Sequence, residues 1–456
     1  MNEFKQISID KIRKIGDLFS FEIDFPAWHN IVLFLSLLFL VSILVFETKI
    51  VLILLVGAVL ITTVLLKPAY IYLLFISLFS IEGFTVFEGV SYPKIVGLLL
   101  MIGLTLKLAL KKDSIPKDSS YKYFFLFFIG SVVSFAFAKN LTVSFQIYIT
   151  YISLFILYIF TRYFLKNMED VHNALNAIFF STILVFAIVQ IMNLSVRHRF
   201  DSRISSGMGD PNEFASYILV LIPLVLYRAI HSFGIRKIIF WGVLIIYILL
   251  LVATGSRGGV LGFLGASAVL IYYYGIGKMR QIVIFLILVA TIAIFFIPDE
   301  FWFRVTTITN PETERGHAIS LRIGHYKAAV KMILDYPIAG VGLANFKFNN
   351  MNYGDTEQQV VHNTYLEILT GGGLLSFIPF MLILLSCWSK LNIKMKVDKN
   401  IVDILISLKA SFVSILITSF FLSADHKKIL WFLLALISSV FYIASEQNKK
   451  RDISLR

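Results

Sequence analysis

The chain has 456 residues, 58% of them hydrophobic and 15% charged. Soluble domains run at roughly 45–50% apolar and 25% charged, so this composition excludes an ordinary globular protein and points to lipid as the solvent. The single cysteine, Cys387, excludes a disulfide framework or a cysteine metal site, and the net charge of +13 is the excess that the positive-inside rule gives a membrane protein rather than a sign of nucleic-acid binding.

Met1 to Pro26 is polar and mixed, unlike the basic and then apolar start of a signal peptide, so the first hydrophobic helix is expected to be retained. A spanning helix needs about 20 apolar residues, and on that criterion runs begin near Asn30, Ile50, Ala69, Lys94, Tyr121, Phe145, His172, Asn212, Lys237, Gly258, Met279, Asn363, Asp403 and Lys427. The expectation is an all-α polytopic protein of about 12–14 spans. Basic clusters at Lys5/Lys11/Arg13/Lys14, Lys107/Lys111/Lys112/Lys117/Lys122, Arg162/Lys166, Arg228/Arg236/Lys237, Lys278/Arg280, Lys390/Lys394/Lys396/Lys399 and Lys449/Lys450/Arg451 all fall on one side of that arrangement. By the positive-inside rule this side is cytoplasmic and holds both termini. The resulting organisation is a cytoplasmic segment 1–28, spans over 29–297, a large extracytoplasmic loop 298–362, further spans over 363–445 and a cytoplasmic tail 446–456.

The loop is too long for a passive connection, because structureless loops beyond about 12–15 residues are uncommon in compact domains. From Leu321 to Leu334 the apolar residues Ile323, Tyr326, Val330, Ile333 and Leu334 recur at helical spacing, with Arg322, Lys327 and Lys331 off the stripe. This predicts an amphipathic helix lying on the membrane surface and ended by Pro337.

Several cations fall on the outer side against the charge rule: Arg197, Arg199, Arg203, Arg257, Arg304, Arg315, Arg322, Lys327, Lys331 and Lys347. Long translocated loops tolerate such charges, but Arg257 lies between two apolar runs, where an ionised side chain is a functional candidate by default. Three outer segments also start helices that enter the membrane. Asp210-Pro-Asn-Glu213 has an N-cap, a proline at the first helical position and a reciprocal acid; Thr254 or Ser256 can cap the next helix; Thr364 and Glu367 have capping-box spacing. Capping alone accounts for Asp210, Glu213, Thr364 and Glu367, yet it leaves Arg257 and His362 unexplained. Converging helix N-termini with guanidinium groups among them make a phosphate site, and a histidine beside it suits a base acting on a hydroxyl.

Four segments resemble the O-antigen polymerase and ligase family of bacterial envelope glycan enzymes: Arg203 to Phe214, Thr254-Gly-Ser-Arg-Gly-Gly259, Leu321 to Ala329 running into Pro337 to Phe346, and His362-Asn-Thr-Tyr-Leu-Glu367. The resemblance covers about Arg203 to Ser376, and Gly371-Gly-Gly373 departs from it where a bulkier residue is common. It implies a GT-C-like fold and an inverting, metal-independent glycosyltransferase without a cofactor, working on the outer face of the bacterial inner membrane. The implied donor is an undecaprenyl-diphosphate-linked glycan and the implied acceptor a second glycan, with a chain-length regulator and a flippase as protein partners and no nucleic acid. By the same analogy Arg257 and Arg322 hold the diphosphate with Arg203 as a further candidate, His362 is the base or positioner, and Asp210, Asn212 and Asn363 support them. Polymerase is the favoured member of the pair, with ligase the alternative.

A flippase is the competing reading from another class, and it should carry its charges within the spans rather than at their outer ends. A peptidoglycan-type polymerase would instead use an outer-loop carboxylate, for which Asp335 and Asp355 are present without a recognisable context. A metal site from His317, His325 and His362 is disfavoured by irregular spacing, and neither a phosphate loop nor a dinucleotide fingerprint occurs.

Overall fold

The computed structural model describes residues 67–87, 90–111, 114–195, 205, 208, 210–275, 316–392 and 397–454. The runs near Asn30, Ile50 and Met279, together with Arg197, Arg199, Arg203, Arg304, Arg315 and His317's side chain, lie outside what is described. In chain order the helices are α1 Pro68–Ser77, α2 Tyr92–Lys111, α3 Tyr121–Val133, α4 Leu141–Phe164, α5 Met168–Ser195, α6 Pro211–His231 and α7 Gly234–Ala253. They continue with α8 Arg257–Gly275, then α9 Gly316–Asp335, α10 Phe346–Asn349, α11 Thr364–Asn392, α12 Lys399–Thr418 and α13 Lys428–Ser454. Among the described residues eight helices are long and apolar enough to cross a membrane, with α1, α2 and α3 as shorter apolar helices. The protein is therefore all-α and polytopic. Among the described residues the strands form one small antiparallel hairpin between α1 and α2, Thr85–Phe87 with Val90–Ser91.

Helix α6 is the axis of the bundle, buried along most of its length and packed on α7 and α12. Apolar side chains alone give helices little reason to associate in lipid, and small polar groups supply the specificity. Ser216 Oγ meets Thr418 Oγ1 at 3.0 Å, and Ser411 donates to the Val220 carbonyl at 2.7 Å. Helices α3 and α11 come closer still. A Cβ on Gly130 would lie 2.1 Å from the Leu375 carbonyl oxygen, so only glycine permits that crossing.

One end of the bundle is basic. Asp118 is fully buried there and accepts from Lys390 Nζ at 2.8 Å, Tyr158 at 2.7 Å and Ser438 at 2.8 Å, with Arg162 Nε at 3.5 Å. Burial raises the Asp118 carboxyl, but Lys390 and these hydrogen bonds outweigh it and hold the group below its ordinary range. His231 meets Asp403 at 2.9 Å at this end as well. Arg162, Arg228 and Lys390, which the sequence puts on one side, share this end. The segments that start α6, α8, α11 and α13 gather at the other.

At that opposite end α11 is interrupted. Gly373 has φ 59° and ψ −166°, and the Leu374 and Leu375 amides turn from the helix to the Pro337 and Ile338 carbonyls at 2.9 and 3.1 Å. Val341 N–H in return binds the Thr370 carbonyl at 2.9 Å. The glycine run is thus a kink stitched to the loop after α9. A Cβ on Gly373 would sit 2.2 Å from the Ile338 carbonyl oxygen, and one on Gly340, at φ +70°, 2.5 Å from that of Gly371. Gly373→Ala is expected to destabilise the protein by about 1–3 kcal/mol through backbone strain and overpacking. Thermal unfolding in detergent checks this against Gly242→Ala, where nothing lies within 4 Å of the added carbon.

Candidate functional site

Helix α9 carries the loop's chemistry and runs over Gly316–Asp335, ending before Pro337 as the sequence predicts. Ile323, Val330 and Leu334 of its apolar stripe are about half exposed or more, as a helix lying on a membrane surface requires, whereas Tyr326 packs against the loop core. The buried face holds His325, Ala328, Ala329 and Met332, packed with Val341, Phe346 and Val361. Arg322, one turn before His325 and two before Ala329, is half-buried on the side that turns toward the protein.

His325 makes the tightest polar contact of this layer: its Nδ1 lies 2.5 Å from Asp355 Oδ2, with both side chains sealed from solvent. Asp355 also accepts from Asn350 Nδ2 at 2.7 Å and from the Thr356 amide at 2.9 Å. This pair was not legible in the sequence, where His325 appears only as a weak metal candidate and Asp355 without context. Asp335 accepts from the Tyr353 hydroxyl at 2.9 Å. Both loop carboxylates therefore have structural partners. The Pro337–Phe346 segment is anchored by Asn345, which is fully buried and donates to Asn140 O, Ser144 Oγ and Leu343 O within 3.1 Å.

His362 sits where this layer meets the membrane helices. Its φ is +53°, a left-handed conformation uncommon for a residue with a side chain and costing about 1–3 kcal/mol. Both neighbours enforce it. Val361 is buried in the loop core and gives its N–H to Glu367 Oε2 at 3.3 Å. Asn363 caps α11, its Oδ1 accepting from the Tyr365 and Leu366 amides at 3.0 and 3.1 Å. The capping box drawn from Thr364 and Glu367 is thus corrected. Asn363 is the cap, one residue earlier, because the Thr364 hydroxyl is engaged by Leu422 O at 2.6 Å and Ala424 N at 2.8 Å. Glu367 reaches Val361 and Ser423 instead.

The other two entry points match the sequence more closely. Asp210 caps α6, accepting from the Asn212 amide at 2.6 Å and the Glu213 amide at 3.4 Å. Ser256 caps α8 through Gly259 N–H at 3.2 Å, and its hydroxyl donates to Asn212 Oδ1 at 2.9 Å. Asn212 thereby fastens the start of α6 to the residue next to Arg257, which opens α8 and is half-buried. Burial and the neighbouring Arg322 guanidinium hold the His362 imidazole below its ordinary value of 6.5; Asp210 pulls it up, and His325 adds to the lowering. His362, Arg322 and Asp210 are thus one electrostatic neighbourhood, and Asn212 ties Arg257 to its edge.

A polytopic helical bundle with cations, caps and a strained histidine at one end belongs to the class of membrane-embedded proteins with an end-on polar site. Residues 242–381, about a third of the chain, match the family model described as O-antigen ligase. The matched segment includes Arg257, Arg322 and His362, whereas Asp210 and Asn212 precede it. No curated protein matches the chain.

Proposed function

We propose that the chain is an inverting, metal-independent glycan polymerase that joins undecaprenyl-diphosphate-linked repeat units on the outer face of the bacterial inner membrane. The observation that carries this reading is His362, forced into a left-handed backbone beside Arg322, with burial and that guanidinium holding its imidazole below the ordinary value. Arg257 and Arg322 hold the donor diphosphate, with Arg203 as a third cation. The developing negative charge of the leaving group is met by guanidinium forks. Asp210, Asn212 and Asn363 hold three helix N-termini around it, and those free N–H groups add to the anion field. His362 takes the proton from the acceptor hydroxyl as that oxygen attacks the anomeric carbon, and the lipid diphosphate departs with the bonding pair.

A ligase reading is favoured by the description of the matched family, since a ligase uses the same donor and differs in the acceptor. The test is reconstitution of the purified protein with lipid-linked repeat unit alone. A polymer ladder that persists in EDTA supports the polymerase; product that appears only after a lipid A-core acceptor is added supports the ligase, and movement of the donor across the bilayer without product supports a flippase.

Sidedness follows from the same reading: both termini are cytoplasmic and the 298–362 loop is outside. An impermeant thiol reagent on intact cells is expected to label a cysteine placed at exposed Gln358 and to spare one at exposed Ser119. Native Cys387 is buried and gives no background. The reverse pattern overturns the orientation.

A further inference from the structure

We propose that a cleft beside the His362 loop seats the acceptor saccharide, gripping the hydroxyls of an uncharged sugar ring with the carboxylate and ammonium groups that line it. The proposal deepens the glycan-joining reading and rests on it. The cleft measures about 540 Å³ with the space open to solvent included, with Phe79 and Tyr217 among its apolar walls and Glu82, Glu213, Ser216 and Lys427 among its polar ones.

Its charges decide what it can take. Glu213 lies 2.6 Å from Lys427, each with 21% of its side chain exposed, and Glu82 pairs with Lys428. Two carboxylates and one ammonium group line the cleft, so a diphosphate gains no net attraction here. A sugar hydroxyl both donates and accepts, and adjoining carboxylates and ammonium groups meet it with charge-assisted bonds in both directions. Phe79 and Tyr217, both buried, back the cleft as a rigid apolar wall behind these polar groups.

The cleft is joined to the reaction site from two sides. Leu422 and Ala424 line it, and both bind the Thr364 hydroxyl, at 2.6 and 2.8 Å, two residues past His362. Glu213 in turn is bound through its amide by the Asp210 cap, whose carboxylate the His362 imidazole senses. An acceptor ring held here presents its hydroxyl toward His362, while the anion-binding guanidinium groups lie outside the cleft.

The probes are uncharged methyl glycosides of glucose, galactose and N-acetylglucosamine, followed by saturation-transfer NMR on the full-length protein in nanodiscs, with inorganic pyrophosphate followed by ³¹P line broadening. Saturable binding of at least one glycoside is expected, undisturbed by pyrophosphate and weakened at least about tenfold by Glu82→Gln/Glu213→Gln, since each lost charge-assisted bond is worth that order. Arg257→Ala/Arg322→Ala should lose pyrophosphate and keep the glycoside. Absence of glycoside binding, its displacement from the wild-type protein by pyrophosphate, or unchanged affinity in the glutamine variant overturns the cleft proposal. Glycoside binding without pyrophosphate binding instead overturns the donor site and leaves the cleft standing. The displacement arm uses wild-type protein, so misfolding of a variant does not rescue the proposal.

Discussion

His362→Ala is expected to lower turnover about 10²–10⁴-fold, the range of general-base assistance, while binding of lipid-linked donor stays near wild type. On the proposed mechanism the arginines hold the charge of the leaving diphosphate, and the remaining barrier lies in aligning and deprotonating a sugar hydroxyl. His362→Gln should be no better, because an amide keeps a hydrogen bond but cannot take the proton. The pH dependence carries a sign. A base acts in its neutral form, and His362 is held below 6.5 by burial and Arg322, so it stays competent down to more acidic pH. The acid limb of the rate profile is expected below 6.5, and Asp210→Asn should move it lower still by removing the one group that raises the imidazole. A purified-enzyme profile of product formation measures both. Turnover unchanged in both His362 variants would show that the acceptor needs no base at this position.

The parts of this site that were legible in the sequence are those whose partners are near in sequence. Asp210-Pro-Asn-Glu213 announces its cap because the carboxylate and the amides it binds are within three residues, and Asp210 does cap α6. The span of α9 was legible for the same reason, from helical periodicity ended by a proline. Its stripe of Ile323, Val330 and Leu334 is exposed, as a helix lying on a membrane surface requires; what the sequence did not mark is the opposite, buried face, which uses small Ala328 and Ala329 together with His325. The Thr364–Glu367 spacing misled because spacing carries no information on what Leu422, Ser423 and Ala424 supply from over fifty residues away. Asp118 with Lys390 and His325 with Asp355 are likewise long-range pairs, brought together by helix packing rather than by any local pattern. The resemblance singled out His362, Arg257 and Arg322, but the left-handed backbone that sets His362 apart is a property of the fold.

Arg322→Ala and Arg257→Ala are each expected to weaken donor binding about tenfold to a hundredfold, since a hydrogen bond to a charged group is worth about 1.5–3 kcal/mol and roughly 1.4 kcal/mol is a factor of ten. Lysine should restore only part of this, because an ammonium is a point charge without the planar fork that matches phosphate oxygens. The two positions differ in a second readout. Arg322 is one of the groups that lower the His362 imidazole, so its removal lets that group rise and moves the acid limb of the rate profile to higher pH. Arg257 is not among those groups. It stands at the start of α8, connected to α6 by the Ser256–Asn212 bond, so its loss should cost affinity without moving the limb. Donor affinity by binding to nanodisc-held protein and a pH profile for each variant separate these effects. Wild-type affinity in both alanine variants would remove the diphosphate site, whereas equal movement of the acid limb in both would mean that Arg257 also lies against His362 when donor is bound.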